Sequence, residues 1–123
     1  MLPTEFSLST ARVGEGTYVV SVYGELDLHT VGQLEAELEA AVAHGAQRLV
    51  VDLACVSFMD STALGALVAA HRTLRLASGD LSIVSVDPRV VRVFQITGLD
   101  RTLRLRSSLT DALSELVHAG ANG

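Results

Sequence analysis

Apolar and polar positions follow one another along the chain with two spacings, one typical of strands and the other of helices. Residues 6–10 alternate, residues 14–16 contain two glycines that favour a turn, and residues 18–23 form an apolar run. This pattern predicts an N-terminal β-hairpin whose second strand lies inside a sheet. Three more strands are predicted, at residues 48–53, 81–86 and 103–105. The first of them is apolar almost throughout, which indicates a strand in the sheet interior.

Helical spacing of apolar residues, flanked by capping residues, predicts four helices. Thr30 and Gln33 have the spacing of a capping box at the start of the first helix, and Gly45 ends that helix. In the third helix, Asp87 is the expected N-cap and Pro88 the first helical residue. The remaining helix boundaries are predicted as starts at Ser61 and Ser108 and ends at Gly79 and Gly98.

The order of these elements defines the expected architecture. Strand–helix–strand repeats imply right-handed crossovers, and hence a mostly parallel central sheet with an N-terminal hairpin and about four helices. The chain has 123 residues, which is enough for one hydrophobic core, and we expect a single α/β domain over residues 1–123 with an ordered core at about 5–118. Aromatic residues make up only 4% of the chain, so Leu, Val, Ile and Ala must fill that core.

Charge and composition exclude several classes of function. The net charge of −5 argues against direct binding of nucleic acid and favours a basic protein partner; Glu35, Glu37 and Glu39 form an acidic exposed face. All nine basic residues are Arg, which removes mechanisms that need a lysine, including P-loop NTPases and Schiff-base enzymes.

The expected location is the cytoplasm. A single cysteine, Cys55, permits no intramolecular disulfide and suits a reducing compartment. The first residues lack the basic and apolar regions of a secretory signal, and no apolar run approaches the roughly 18 residues of a membrane span. We therefore expect no membrane association.

Two adjacent hydroxyls, those of Ser61 and Thr62, follow Asp60 where a strand passes into a helix. The unpaired N–H groups and the dipole of a helix N-terminus favour a negative group, so a phosphate added here would be tolerated. The same residue types are also good helix caps without any further function. On residue types alone, the capping role is the more common one.

A family resemblance changes that balance. The segment Asp60-Ser61-Thr62-Ala63-Leu64-Gly65 resembles the phosphoserine signature of bacterial anti-sigma factor antagonists, which are STAS-domain proteins. Residues 24–27 (Gly-Glu-Leu-Asp) and residues 94–100 fit the same family in order and spacing, and the resemblance extends roughly from Phe6 to Leu116. Ala63 stands where many members carry Gly, and an alanine suits the first turn of a helix.

The resemblance implies a partner-switching regulator of transcription in the stress response. Its unphosphorylated form would bind an anti-sigma factor that is also a serine kinase, and so free the sigma factor. The kinase would phosphorylate Ser61, with Thr62 as the second choice, and a PP2C-type phosphatase would reverse the modification. The chain itself would be no enzyme and need no cofactor. The expected partner-binding residues are Glu25, Asp27, Asp60, Ser61, Thr62 and Leu64.

Other chemistry at the same residues is less well supported. A nucleophile elbow needs Gly where this chain has Met59 and Ala63, and His71 lies nearly three helical turns from Ser61. His29 follows the strand end at residues 24–27 and is the one histidine that the fold could bring closer, which is too little for a catalytic triad. Asp27 and Asp60, both at strand ends, have the ligand type for Mg²⁺, but a partner contact is the preferred interpretation. The four histidines are scattered, so no metal site is expected.

Two further residues and two rival functions complete the expectations. Phe58 is expected in the core, with an exposed contact as the alternative, and Cys55 is expected as a small core or loop residue. A STAS scaffold in a larger stress-signalling assembly is one rival function. A nucleotide-binding or small-ligand-binding STAS module is the other, although the sequence has no Gly-rich phosphate loop.

Overall fold

Residues 5–122 are the part of the chain that the computed structural model describes, with side chains through residue 116, and they form five strands and five helices. In chain order these elements are β1 Ser7–Gly14, β2 Thr17–Leu26, α1 Val31–Ala43, β3 Arg48–Met59, α2 Thr62–Leu76, β4 Asp80–Val84, α3 Pro88–Thr97, α4 Leu99–Thr102, β5 Leu105–Arg106 and α5 Leu109–Asn122. The limits 5–118 of the ordered core remain a prediction.

The strands form one sheet in the order β1-β2-β3-β4-β5. β1 pairs with β2 in antiparallel fashion, and each later pair is parallel. The expected mixed α/β architecture, mostly parallel with an N-terminal hairpin, is therefore confirmed. The neighbouring strands β2 and β3 end side by side, with Leu26 opposite Met59. Any loops that follow these two residues must start next to each other.

β3 is longer than predicted, because it continues beyond residue 53 to Met59. Its register against β2 shifts twice. The first shift lies between the pairs Ser21–Asp52 and Tyr23–Cys55, and the second lies between the pairs Gly24–Val56 and Glu25–Phe58. Each shift adds one residue on β3, which is the geometry of a β-bulge. From Leu53 to Met59 every third residue of β3 is buried, so this part of the strand lacks the alternation that identifies a strand in a sequence.

Both faces of the sheet are covered, but to different extents. One face carries the main core, in which Leu34 of α1, Leu67 of α2 and Phe94 of α3 pack against the strands. On the other face, α5 packs Ala112 and Leu116 onto a smaller cluster that contains Val19, Val50 and Val84. Aliphatic side chains dominate both clusters, as the composition requires.

The helix caps confirm some predicted boundaries and correct one. The carboxylate of Asp87 accepts from the Arg89 N–H at 2.9 Å, and Gly98 ends α3 in the left-handed conformation with φ 76°. The capping box at Thr30 is wrong: its side chain makes no capping bond to α1. Instead the Thr30 hydroxyl donates to the Glu25 carbonyl at 2.8 Å and accepts from the Asp27 N–H at 3.0 Å.

The region after α3 also differs from the prediction. A one-turn helix, α4, follows Gly98, and it is too short to show helical periodicity in the sequence. The edge strand β5 covers Leu105 and Arg106 rather than residues 103–105, because Arg104 turns the chain with φ 51°. Leu103 is fully buried and belongs to the core before the strand begins.

Candidate functional site

The ends of β2 and β3 bring two loops together at one edge of the sheet. Beyond the Leu26–Met59 pair, the Asp60 N–H donates to the Leu26 carbonyl at 3.1 Å, which holds the start of the second loop against the end of β2. We call residues 25–30 and 58–62 the carboxyl edge. In open α/β sheets, functional sites lie outside the carboxyl ends of the strands, and the predicted residues Glu25, Asp27, Asp60, Ser61 and Thr62 all lie here.

Asp60 is the residue that caps α2. One of its carboxylate oxygens, Oδ1, accepts from the Thr62 N–H at 2.9 Å and also from the Thr62 hydroxyl. Ser61 occupies the N-cap position by backbone geometry, but its side chain makes no capping bond, and the residue is exposed. The common alternative for a Ser at this position, that it serves only as a cap, therefore does not apply to Ser61.

Asp27 orders the other loop of the carboxyl edge. Its Oδ1 accepts from the His29 N–H at 2.8 Å and from the Thr30 N–H at 3.2 Å, a local turn that a carboxylate of this length often forms. Thr30 binds back to Glu25, as described above. The loop is thereby held by its own side chains, and Leu28 at its centre is 70% exposed.

Two apolar residues are exposed at the carboxyl edge: Leu28, which the sequence analysis missed, and Phe58, for which an exposed contact was only the alternative to a core position. The only sequence signal for Leu28 was a single apolar residue in a polar loop. Phe58 was expected in the core but is 46% exposed, because the second β3 bulge turns it to the outer side, opposite Glu25. Cys55 is likewise exposed rather than in the core or a loop. The edge therefore combines apolar and acidic groups.

Leu64 does not belong to the contact surface that the sequence predicted. It is only 5% exposed and is part of the main core, on the inner side of α2. The helical spacing that places Leu64 on the buried stripe was visible in the sequence, and that stripe is the better indication of its role. We therefore remove Leu64 from the proposed contact residues.

The electrostatics of the edge are acidic. Glu25, Asp27 and Asp60 carry negative charge, and none of the ion pairs found between residues 5 and 116 involves them. The same residues contain no group of three His, Cys, Asp or Glu side chains placed to hold a metal ion. The three carboxylates of the edge therefore have no ion-pair partner among these residues, although those of Asp27 and Asp60 accept hydrogen bonds within their own loops.

His71 is the histidine nearest to Ser61 along the chain, but its side chain lies beside a different carboxylate. The Nε2 atom of His71 lies 3.7 Å from a carboxylate oxygen of Asp80, which begins β4 at the opposite edge of the sheet. The rise of 1.5 Å per residue places it about 15 Å along α2 from Ser61. The geometry therefore offers Ser61 no base from α2.

Among the helices described, none is long and apolar enough to cross a membrane.

Comparison with known proteins assigns the chain to a family. Residues 9–112 match the family model described as the STAS domain, and the chain belongs to that family. It is 43% identical over 82 residues to the anti-sigma-B factor antagonist of Staphylococcus aureus (strain NCTC 8325 / PS 47), covering 67% of this chain and 76% of that protein.

Solved structures agree with this assignment. The crystal structure of an anti-sigma factor antagonist from Mycobacterium paratuberculosis is 34% identical, with a TM-score of 0.80 over 92% of this chain and 93% of that chain. SpoIIAA in its unphosphorylated form is 27% identical, with a TM-score of 0.78 over 92% and 97% of the two chains. The phosphorylated form of the Bacillus protein SpoIIAA gives 28% identity and a TM-score of 0.69 over 90% and 98%. The Staphylococcus aureus protein, the Mycobacterium paratuberculosis protein and unphosphorylated SpoIIAA are all named as antagonists of an anti-sigma factor.

Proposed function

We propose that this chain is an anti-sigma factor antagonist controlled by phosphorylation of Ser61. In its unphosphorylated form it binds an anti-sigma factor through the carboxyl edge and so frees the sigma factor. The names of the relatives support this function, and a relative solved in both unphosphorylated and phosphorylated forms supports the mode of control. The observation that carries the choice of residue is the exposed Ser61 side chain, which makes no capping bond to α2.

Ser61 is a better acceptor for the phosphate than Thr62. The Thr62 hydroxyl donates its proton to Asp60, so its modification would remove a contact that holds the start of α2. The Ser61 side chain has no such capping role. A kinase that presents ATP to this edge therefore modifies Ser61 with the smaller disturbance of the fold.

The added phosphate acts mainly on the contact with the partner. It carries about −1.5 to −2 charges at pH 7. The dipole of α2 contributes roughly 0.3–1 kcal/mol in favour of this charge, which partly offsets repulsion from Asp60 and Asp27. In the complex, the same dianion would lie between two surfaces that had packed Leu28 and Phe58 against an apolar partner site. A charge left poorly paired there costs several kcal/mol, so the complex dissociates.

The partners follow from this cycle. The anti-sigma factor is also the serine kinase, it uses ATP, and a PP2C-type phosphatase restores the binding form. The contact surface of the anti-sigma factor is expected to be basic with an apolar centre. Such a surface is complementary to the three edge carboxylates and to Leu28 and Phe58. The chain is a substrate in this cycle, acts in the cytoplasm and catalyses no step itself.

Mass spectrometry after incubation with the cognate kinase and ATP tests the assignment. We expect one phosphate, on Ser61, and unchanged stoichiometry in a Thr62→Val variant. Ser61→Ala is expected to abolish the modification. Phosphorylation at Thr62, Ser107 or Ser108 in the wild-type chain, with Ser61 unmodified, would show that the wrong hydroxyl has been assigned.

A further inference from the structure

An open groove runs between α1 and α2 on the outer side of the molecule. Its volume is about 430 Å³. The two helices follow neighbouring parallel strands and pack on the same face of the sheet, which places them side by side. The groove extends from Glu35 to Ala43 on α1 and from Gly65 to Thr73 on α2. This is about two turns of each helix, or roughly 12 Å.

The surface of this groove is apolar and its α2 wall is low. Val42 and Ala43 supply apolar surface from α1 above Leu38, which is only 2% exposed, and Gly65 and Ala69 of α2 are exposed. A Cβ atom added at Gly65 would meet nothing within 4 Å. The hydroxyl of Thr73 donates to the Ala69 carbonyl at 3.0 Å, so it is satisfied within its own helix. Small side chains let another backbone approach closely, which favours a third helix.

Charge on the α1 side of the groove restricts what binds. Glu35 and Glu39 lie four residues apart, hence on one side of α1, and both line the groove. Neither forms an ion pair or a side-chain hydrogen bond in the part of the chain whose side chains are described. The α2 residues that line the groove are uncharged. A partner that fills the groove therefore needs apolar residues toward α2 and positive charge toward α1.

We propose that this groove receives a basic amphipathic helix of a partner protein. The apolar face of that helix packs against Val42, Ala43 and Ala69, and its Arg or Lys residues pair with Glu35 and Glu39. Gly65 lies in the first turn of α2, so the groove opens onto the carboxyl edge. Ser61 is not among the residues that line the groove, and the proposal stands whether or not Ser61 is modified. The occupant is a second anchor, separate from the Ser61 contact.

Titration of the isotopically labelled full chain with a synthetic helix tests this. The probe has about 16 residues, with Leu and Ala on one face and Arg on the other; a matched peptide carries Glu in place of Arg. We expect chemical-shift changes confined to the facing sides of α1 and α2 with the basic peptide. Binding of the acidic peptide, and binding of the basic peptide to Glu35→Gln/Glu39→Gln, should each be at least about tenfold weaker.

Filling the groove provides the matched control. Ala69→Trp places an indole inside the groove and should abolish binding, whereas Ala40→Trp, on the exposed side of α1 outside the groove, should leave it unchanged. Gly65→Leu is a second blocking variant. Equal binding of both peptides, no shift in the groove, or full binding by both blocking variants would overturn the proposal. If the chain self-associates and Ala69→Trp prevents this, the occupant of the groove is a second copy of the chain and the proposal is overturned. If the chain binds lipid vesicles and Ala69→Trp prevents this, the groove binds a lipid surface and the proposal is again overturned.

Discussion

At the scale of single residues, Asp60 and Ser61 divide two tasks that either could have performed. The carboxylate of Asp60 accepts from the first turn of α2, and the Ser61 side chain takes no part in capping. Because stability of the helix start and availability of the hydroxyl rest on different residues, modification of Ser61 need not unfold anything. The sequence shows three adjacent capping residue types and cannot say which of them caps.

Replacing Asp60 should therefore lower the stability of the fold, whereas replacing Ser61 should not. We expect Asp60→Ala to lower the free energy of unfolding by about 1 kcal/mol, which is a few degrees in melting temperature for a domain of this size. The free energy of unfolding of Ser61→Ala should lie within about 0.5 kcal/mol of the wild-type value. Thermal unfolding followed by circular dichroism measures both. A larger loss for Ser61→Ala than for Asp60→Ala would show that the capping assignment is reversed.

Leu28 should contribute to partner binding without contributing to stability. It is 70% exposed, and burying a leucine side chain fully is worth about 1.5–3 kcal/mol, so Leu28→Ser should weaken anti-sigma factor binding by roughly tenfold or more. Ile96 is the control, since it is 71% exposed on α3 and lies outside the carboxyl edge. Isothermal titration calorimetry should find Ile96→Ser unchanged. Equal losses for the two variants would remove Leu28 from the interface.

At the scale of elements, an arginine network joins β5 to α5 on the side of the sheet opposite the main core. Arg106 donates to both carboxylate oxygens of Glu115 at 2.6 Å, and Arg104 lies between Glu115 at 3.4 Å and Asp80 at 2.9 Å. The hydrogen bond from Arg106 lowers the pKa of Glu115 below its ordinary 4.5. A lowered pKa means that the folded state binds the proton less readily than the unfolded state.

This pKa shift predicts how stability depends on pH. The contribution of Glu115 is fully present above the pKa of the unfolded chain and is lost as pH falls through the lower folded pKa. We expect Glu115→Gln to melt below wild type at neutral pH, with a difference that shrinks as pH falls below 4.5. Glu39→Gln removes an exposed acid of α1 that has no ion pair among the described side chains, and it is the control for the loss of one carboxylate at neutral pH. A Glu115 difference that grows at low pH would contradict the argument.

The elements also show where sequence reasoning works and where it stops. Asp87 and Gly98 are caps of defined chemistry, and both were located from the sequence alone. Beyond residue 53, β3 was missed because only every third residue is buried around its two bulges, without the alternation of a strand. The same bulges turn Phe58 outward, so the error about the strand caused the error about the residue. The pairing partner that imposes a bulge is remote in sequence, and local pattern cannot reveal it.

At the scale of the whole molecule, the charges are distributed unevenly. Residues 25–62 contain seven acidic residues and one arginine, whereas residues 72–106 contain seven arginines and three acidic residues. The acidic segment includes the carboxyl edge and the α1 side of the groove, and both arginines of the network, Arg104 and Arg106, lie in the basic segment. Opposite charge across an interface raises association rates and is screened by salt. The acidic segment, which bears Ser61, is thus suited to a basic partner, and a phosphate on Ser61 adds to a charge that is already negative.

The measurement that tests the account most directly is the affinity of Ser61 variants for the cognate anti-sigma factor, determined together with their melting temperatures. We expect Ser61→Asp to melt within a few degrees of wild type but to bind at least about 100-fold more weakly. Ser61→Ala should bind like wild type and remain bound when ATP is added. A Ser61→Asp chain that binds as tightly as wild type would contradict the proposed switch. One that melts far lower while still binding well would show that modification acts through unfolding and not at the interface.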